Sequence, residues 1–431
     1  MWKDYKLGEL LQVKHGYAFK SEFFASDGHY ILLTPGNVYR RGGLKLKGKK
    51  EKYFVGEYPP EYLLSKDDLV LVMTDLTQDA SILGGAFMVD QNDKYLHNQR
   101  LGLVSHSDEV DRTFLFYYLN WQYFRDQVKA SSNGATVKHT SPKRIYKCSI
   151  QLPPKQTQQK IGAVLSSYDK LIRTNNRRIN RLSNLAEEVN KEWFVRMRFP
   201  GHKDVPVEKG CPEGWREVTI GDVCKVARGS SPRPKHDGRF FDGGEIPWVK
   251  IADATASTMY VFRTKEHINE FGATFSRRLE PGSLIIATSG TLGFSVFLGV
   301  ESCVHDGWIY LSEYEFGLKP VFFFYVINAL REYLNNLSYG AAIQNVNTDI
   351  IRRLPFRLPP QNVLKQFYDF VEPIHEQIQV LSRANLQLRE KQDLLSTRLL
   401  SGTLSVEGLN IVIEQNEDAD GSVTDEELVH A

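Results

Sequence analysis

At roughly 150 residues per domain, a chain of 431 residues calls for two or three domains rather than one. Apolar residues make up 42% of it and charged residues 25%, with 24 Phe and 20 Tyr, which excludes bulk disorder; no apolar run approaches the roughly 18 to 20 residues of a bilayer span, and Met1-Trp2-Lys3-Asp4-Tyr5 lacks a signal-peptide opening, so a cytoplasmic location without a membrane partner is expected. The net charge of +2 hides an asymmetry, because the segment from Ile411 onward carries seven acidic and no basic residues, and the rest of the chain carries +9, a balance that nominates a polyanion partner.

In chain order, the first signal is Trp2-Lys3-Asp4-Tyr5-Lys6-Leu7-Gly8-Glu9, because it returns as Trp215-Arg216-Glu217-Val218-Thr219-Ile220-Gly221-Asp222. The same offset of 213 aligns Val13 with Val226 and Gly16 with Gly229, whereas Leu152-Pro153-Pro154 and Leu358-Pro359-Pro360 match at 206, so the first copy holds seven extra residues in its loops. Within the first copy, Tyr30–Thr34, Asp68–Met73 and Ala86–Val89 read as strands between Gly, Pro and Asp clusters. Phe114, Tyr117, Tyr118, Trp121, Phe124 and Val128 follow one helical face, which Asn133-Gly134 ends. In the second copy Ile246–Ile251, Ser283–Ala287 and Phe294–Leu298 are the strands, and a helix is expected from about Pro320 to Leu337.

A Pro-Pro boundary precedes a helix in each copy. Ile161, Leu165, Tyr168, Ile172, Asn175, Ile179, Leu182, Ala186, Val189 and Trp193 alternate spacings of four and three, a coiled-coil seam, and the offset of 206 reproduces it as Phe367, Val371, Ile374, Ile378, Leu381, Asn385, Leu388, Gln392, Leu395 and Leu399. Pro373 is expected to kink or start the second helix. Each helix of about 36 residues spans about 55 Å, too far for the roughly 17 residues before Trp215 to return with ease, so the helices are expected to run antiparallel. A symmetric seam then makes the numbers of facing residues add to 560, which opposes Asn175 to Asn385 as a buried polar pair that sets register.

The chemistry is largely absent. There is no H-E-x-x-H, G-x-S-x-G or G-x-G-x-x-G, no Asn/Asp-Pro-Pro-aromatic loop to grip an extruded base, and the one Asp/Glu-x-Lys, Asp4-Tyr5-Lys6, stands too near the start to be a nuclease site. Cys148, Cys211, Cys224 and Cys303 form no C-x-x-C, so neither a zinc site nor a disulfide framework is indicated. Gly43–Lys50 nearly spells a P-loop, but Lys50 stands where Ser or Thr would hold Mg²⁺; Arg40, Arg41, Lys45, Lys47, Lys49, Lys50 and Lys52 read instead as a basic hairpin, either touching nucleic-acid phosphate or forming a solvated edge. By residue type, base-edge candidates are Arg40, Arg41, Asn98, Gln99 and Arg100 in the first copy and Arg228, Arg233, Arg263, Gln344 and Asn345 in the second. His97 and His305 occupy matching places and read as buried or phosphate-contacting rather than metal-binding.

This layout resembles the specificity subunit of type I restriction-modification systems over residues 1 to about 405, on Trp2 with Leu7-Gly8-Glu9, on His15 to Ser21, on the Leu-Pro-Pro-x-x-x-Gln run at Leu152–Gln158, and on the Pro-x-Gly-Trp restart at Pro212–Trp215. The second copy departs from it at Gly229-Ser230-Ser231-Pro232 and after Pro360. The resemblance implies an α/β (α+β) fold with two duplicated target-recognition domains separated by a long antiparallel two-helix coiled coil under a pseudo-two-fold axis. The expected bounds are 1–153 and 215–359 for the recognition domains, 154–197 and 360–401 for the helices, 198–214 for a linker and 402–431 for an acidic, disordered tail. It further implies a non-catalytic subunit that binds double-stranded DNA at a split site and joins two modification subunits and the restriction subunits. S-adenosylmethionine, ATP and Mg²⁺ belong to those partners, and no cofactor to this chain. Two rivals stand beside it: a protein-binding scaffold with no DNA role, and an enzyme whose site is unfamiliar.

Overall fold

A computed structural model describes residues 2–77, 79–134, 137–208, 210–235, 237–288, 293–331 and 347–412. The chain divides into two compact units, residues 1–173 with 387–430 and residues 174–386.

In the first unit a four-stranded antiparallel sheet takes Leu11–His15, Leu101–His106, Leu69–Val72 and Ala86–Met88 in that order. A five-stranded sheet takes Phe24–Ala25, Tyr53–Phe54, Tyr30–Leu33, Tyr95–His97 and Leu63–Leu64, with Tyr95–His97 parallel to Ile31–Leu33. Leu69–Val72 is buried at every residue, as its unbroken apolar run requires of a central strand. The first strand, Lys3–Lys6, pairs with Ser149–Leu152, which fastens the domain's two chain ends together just before the helix begins.

The second unit repeats this plan. Its five-stranded sheet takes Lys225–Arg228, Trp308–Ser312, Leu284–Ala287, Ser295–Leu298 and Tyr260–Val261, and a four-stranded sheet takes Glu266–Ile268, Ile246–Val249, Ser302–Val304 and Arg277–Leu279. Arg216–Thr219 pairs with Pro355–Leu358 as the closing ladder. All six expected strands form within a residue or two of their expected ends.

The helix Lys155–Asn190 continues into one π turn over Lys191–Val195, and its partner runs Gln361–Leu400. Inside the first unit Ile161 and Leu165 share a core with Leu399 and Leu400; inside the second, Ile179 and Ala186 share one with Phe367, Val371, Ile374 and Ile378. The order is antiparallel in each: Gln392 donates to the Leu165 carbonyl at 3.0 Å and Lys160 to that of Glu407 at 2.8 Å in the first unit, while Asn175 meets Asn385 and Trp193 meets Phe367 in the second. Among the described residues no helix is long and apolar enough to cross a membrane.

Several local expectations are corrected. The helix expected through Val128 is two, Arg112–Asn120 and Gln122–Ala130, because Trp121 adopts an extended ψ of 139° between them. Pro373 does not start its helix, which begins at Gln361: it lies on the exposed face, and the buried Val371, Ile374 and His375 around it hold the turn by packing. Lys45–Lys50 forms no strand, since Glu51, nearly fully buried, accepts from the Asn37 amide at 2.9 Å and from the Lys47 backbone N–H, and so closes Gly48–Lys50 into a 3₁₀ turn. The segment after 402 begins packed rather than loose, with Val406 buried and Ile411 against the same core. Of the helix expected to Leu337, Pro320–Ala329 forms and ends at its C-cap Leu330, short of the expected end; Leu337 itself lies outside the described residues.

Candidate nucleic-acid interface

In each unit two loops cross at a glycine that the repeat places in register, Gly16 and Gly229. The Gly16 N–H donates to the Leu101 carbonyl at 3.3 Å, and an added Cβ there would stand 2.1 Å from the Asn98 carbonyl oxygen. The Gly229 N–H donates to the Trp308 carbonyl at 2.8 Å, and its Cβ would stand 2.2 Å from the His305 carbonyl oxygen. Only a residue without a side chain permits this approach, which is the physical reason for glycine at both repeat positions. The crossing brings the loop after the first sheet strand against the turn that follows Tyr95–His97 or Ser302–Val304.

The crossing also corrects the repeat. Because Leu33 pairs with His97 and Val249 with Val304, the offset in this region is 207, so His97 corresponds to Val304, Asn98 to His305 and Gln99 to Asp306. His97 and His305 are therefore neighbours in the repeat and not equivalents. Full burial holds the His97 imidazole down to about 4, with Nε2 on the Leu101 carbonyl at 3.0 Å. Burial also lowers His305, whose Nδ1 accepts from the Gly307 N–H at 2.8 Å. Both rings are neutral near pH 7, so neither supplies a cation to a phosphate, and no cluster of three metal-ligating side chains occurs among the described residues.

In the first unit the turn presents Gln99 and Arg100 to solvent, while the Asn98 side chain accepts from the Arg100 N–H at 3.0 Å and is spent on shaping the turn. The facing loop is aromatic: the Tyr17 N–H donates to the His97 carbonyl at 2.9 Å, Tyr17 packs on Phe19 and Tyr62, and the Lys14 ammonium lies 4.5 Å from the Tyr62 ring centre. Of the basic segment, Arg40 lies 3.5 Å from Asp79 and Arg41 pairs with Asp393 of the helix at 2.8 Å. Lys47 is half-buried, and that burial lowers its pKa despite the opposing Glu51. Lys45 lies near the Tyr39 ring, and Lys49 and Lys50 are exposed on the 3₁₀ turn. Arg125, almost completely buried, donates to the Arg40 and Ser81 carbonyls and so pins the loop that bears Arg40 and Arg41.

In the second unit the corresponding loop is charged. Arg228 Nε donates to the Asp306 carbonyl at 2.6 Å, Arg233 reaches the Asp306 carboxylate at 2.7 Å and Lys235 at 3.1 Å. The Ser231 hydroxyl donates to the same carboxylate at 2.8 Å. Burial opposes ionisation of Asp306, yet Ser231, Lys235 and Arg233 together hold its pKa down to about 2. Arg228 and Arg233 are among the candidates expected from residue type, whereas Ser231, Lys235 and Asp306 are not; the match of Gly16 with Gly229 is the sequence signal that marks their loop. Arg263 is exposed elsewhere in the unit, and Gln344 and Asn345 lie outside the described residues.

The seam amides lie within the second unit. Asn175 and Asn385 are buried at 6% and 7% exposure, and Asn175 Nδ2 donates to Asn385 Oδ1 at 2.8 Å. Asn385 Nδ2 in turn donates to Asn176 Oδ1 at 2.8 Å, so Asn385 is fixed by two consecutive residues of the facing helix.

Comparison with known proteins places this architecture. The sequence pattern described as "Type I restriction modification DNA specificity domain" matches residues 1–184 and again 212–390. The MjaIX specificity subunit of Methanocaldococcus jannaschii is 24% identical over 321 residues, covering 72% of this chain and 73% of that protein. The HindI specificity subunit of Haemophilus influenzae is 21% identical over 485 residues, covering 94% and 99%. Among solved structures, the type I specificity subunit from M. genitalium superposes with a TM-score of 0.58 at 14% identity over 93% of this chain and 96% of that one, a likeness of fold. Two matched segments, each with a mixed sheet domain and a stretch of the paired helices, make this chain a member of the type I restriction-modification DNA specificity family.

Proposed function

We propose that this chain is the non-catalytic, sequence-reading subunit of a type I restriction-modification complex, in which each sheet domain reads one half of a split double-stranded DNA site. The observation that carries this reading is the duplication of one complete domain, glycine crossing included, with the side chains facing each crossing different in the two copies. A repeated scaffold with unlike contacts suits an asymmetric site. Two modification subunits join the chain and bring S-adenosylmethionine for adenine methylation, and restriction subunits bring ATP and Mg²⁺; the chain itself holds no cofactor. The domain bounds are those expected from the repeat, 1–153 and 215–359, with 154–197 and 360–401 as the helical spacer. The helices set the interval between the half-sites, and the Asn175–Asn385 pair sets the helices' register.

The test is retardation of DNA by the chain with its modification subunit. DNA bearing the site that the system methylates should bind with an affinity that falls steeply as salt rises, and altering either half should weaken it. Salt-insensitive or sequence-blind association would favour a protein-binding scaffold instead. Methyl transfer by rigorously purified chain alone would remove the non-catalytic reading.

A further inference from the structure

The two glycine crossings place unlike chemistry at one equivalent position. In the first unit the residue after the crossing is Gln99, exposed and uncharged, beside the aromatic Tyr17 loop. In the second it is Asp306, whose side chain is 31% exposed while Arg233 is 66% and Lys235 38% exposed. A carboxylate on a surface meant for a polyanion is unfavourable by itself, since it repels phosphate. Here it is fully engaged: Oδ1 takes Ser231 and Lys235, Oδ2 takes Arg233, and its own N–H lies 3.3 Å from the Ser231 hydroxyl. The His305 ring also faces it, at 3.6 Å. Arg228 holds the same residue from the strand side through its carbonyl. Arg233 stands between Pro232 and Pro234, which restricts its backbone, so one residue fixes both the loop and the two cations upon it.

Resting on the function proposed above, we infer that Asp306 is a positioning residue of the second domain: it holds the Arg233 guanidinium ready for a guanine edge and the Lys235 ammonium ready for the adjoining phosphate. A long arginine loses side-chain freedom when it binds, and a guanidinium already oriented by a carboxylate loses less. The first domain has no such carboxylate at Gln99, so its half-site is read by other groups.

The experiment measures binding by the chain in complex with its modification subunit to three DNAs: the full site, one with a guanine of the second half-site replaced, and one with the first half-site altered. Asp306→Ala should reduce discrimination at the second half-site by roughly tenfold or more while leaving discrimination at the first unchanged. Because the substitution removes a negative charge, affinity for unrelated DNA should hold or rise. Arg233→Ala should lose the same discrimination, and adding Asp306→Ala to it should lose little more, as two residues acting as a unit require. Asp306→Glu should recover part of it. If Asp306→Ala tightens binding to all three DNAs equally, the carboxylate merely repels DNA and the inference fails. It fails also if both half-sites lose discrimination with a fall in Tm, for then the residue is structural. A wild-type complex indifferent to the second half-site would overturn the proposed function itself, whereas wild-type discrimination retained in the variant would overturn this inference alone.

Discussion

Single residues carry the chemistry of this chain by what burial does to them. His97 and His375 are both held near 4 by burial, the second between the Tyr260 and Tyr325 hydroxyls at 3.1 and 2.7 Å. Each folded-state value lies below the unfolded value of about 6.5, so the unfolded chain binds more protons between those limits. Stability should be level above about pH 6.5 and fall as the pH drops toward 4, by on the order of 3 kcal/mol per histidine at most. Urea unfolding across that range checks it, and a His97→Gln, His375→Gln double variant should flatten the slope. Burial likewise raises the thiols of Cys148 and Cys303 to about 11 and Cys224 to about 12. In the native protein an aromatic disulfide reagent should therefore titrate Cys211 first, with the other three reacting only on unfolding. The site was legible at this scale only in part. Residue type pointed to Arg228 and Arg233, but Asp306 meets Arg233 across 73 residues of sequence and Lys235 across 71, a closeness that only the loop crossing creates.

At the scale of elements, what repeats was legible and what breaks a repeat was not. The six strands and both helices followed from periodicity, because alternation of three and four, or an unbroken apolar run, reflects burial directly. Trp121 splitting one helix, Glu51 folding the basic segment and Pro373 continuing inside Gln361–Leu400 all depend on tertiary contacts that spacing does not encode. The off-by-one match of His97 with His305 has the same origin, since the length difference between copies lies in loops whose place only pairing reveals. The two helices also meet their domains by a repeated device: Tyr117 donates to Asp169 in the first unit, and Tyr325 meets His375 in the second. Within the seam, replacing Asn175 and Asn385 together by Leu should raise Tm, because an apolar pair packs without desolvating amides, while relaxing the register they specify. Replacing Asn385 alone by Leu should lower stability by about 1 to 3 kcal/mol, since the Asn175 amide is left buried without its acceptor. Thermal melts of the three proteins decide this, and adding one heptad to both helices should change the preferred spacer length of the DNA site.

For the whole molecule, duplication is the basis of specificity: each domain is closed on itself by its own first and last strands, Lys3–Lys6 with Ser149–Leu152 and Arg216–Thr219 with Pro355–Leu358, and so can vary without disturbing the other. The most direct measurement is to replace residues 215–359 with the corresponding segment of a relative, assemble the chimera with its modification subunit, and map the adenines methylated across genomic DNA. The methylated site should have one new half, while the other half is that of the parent. A chimera that changes both halves together, or neither, would contradict it.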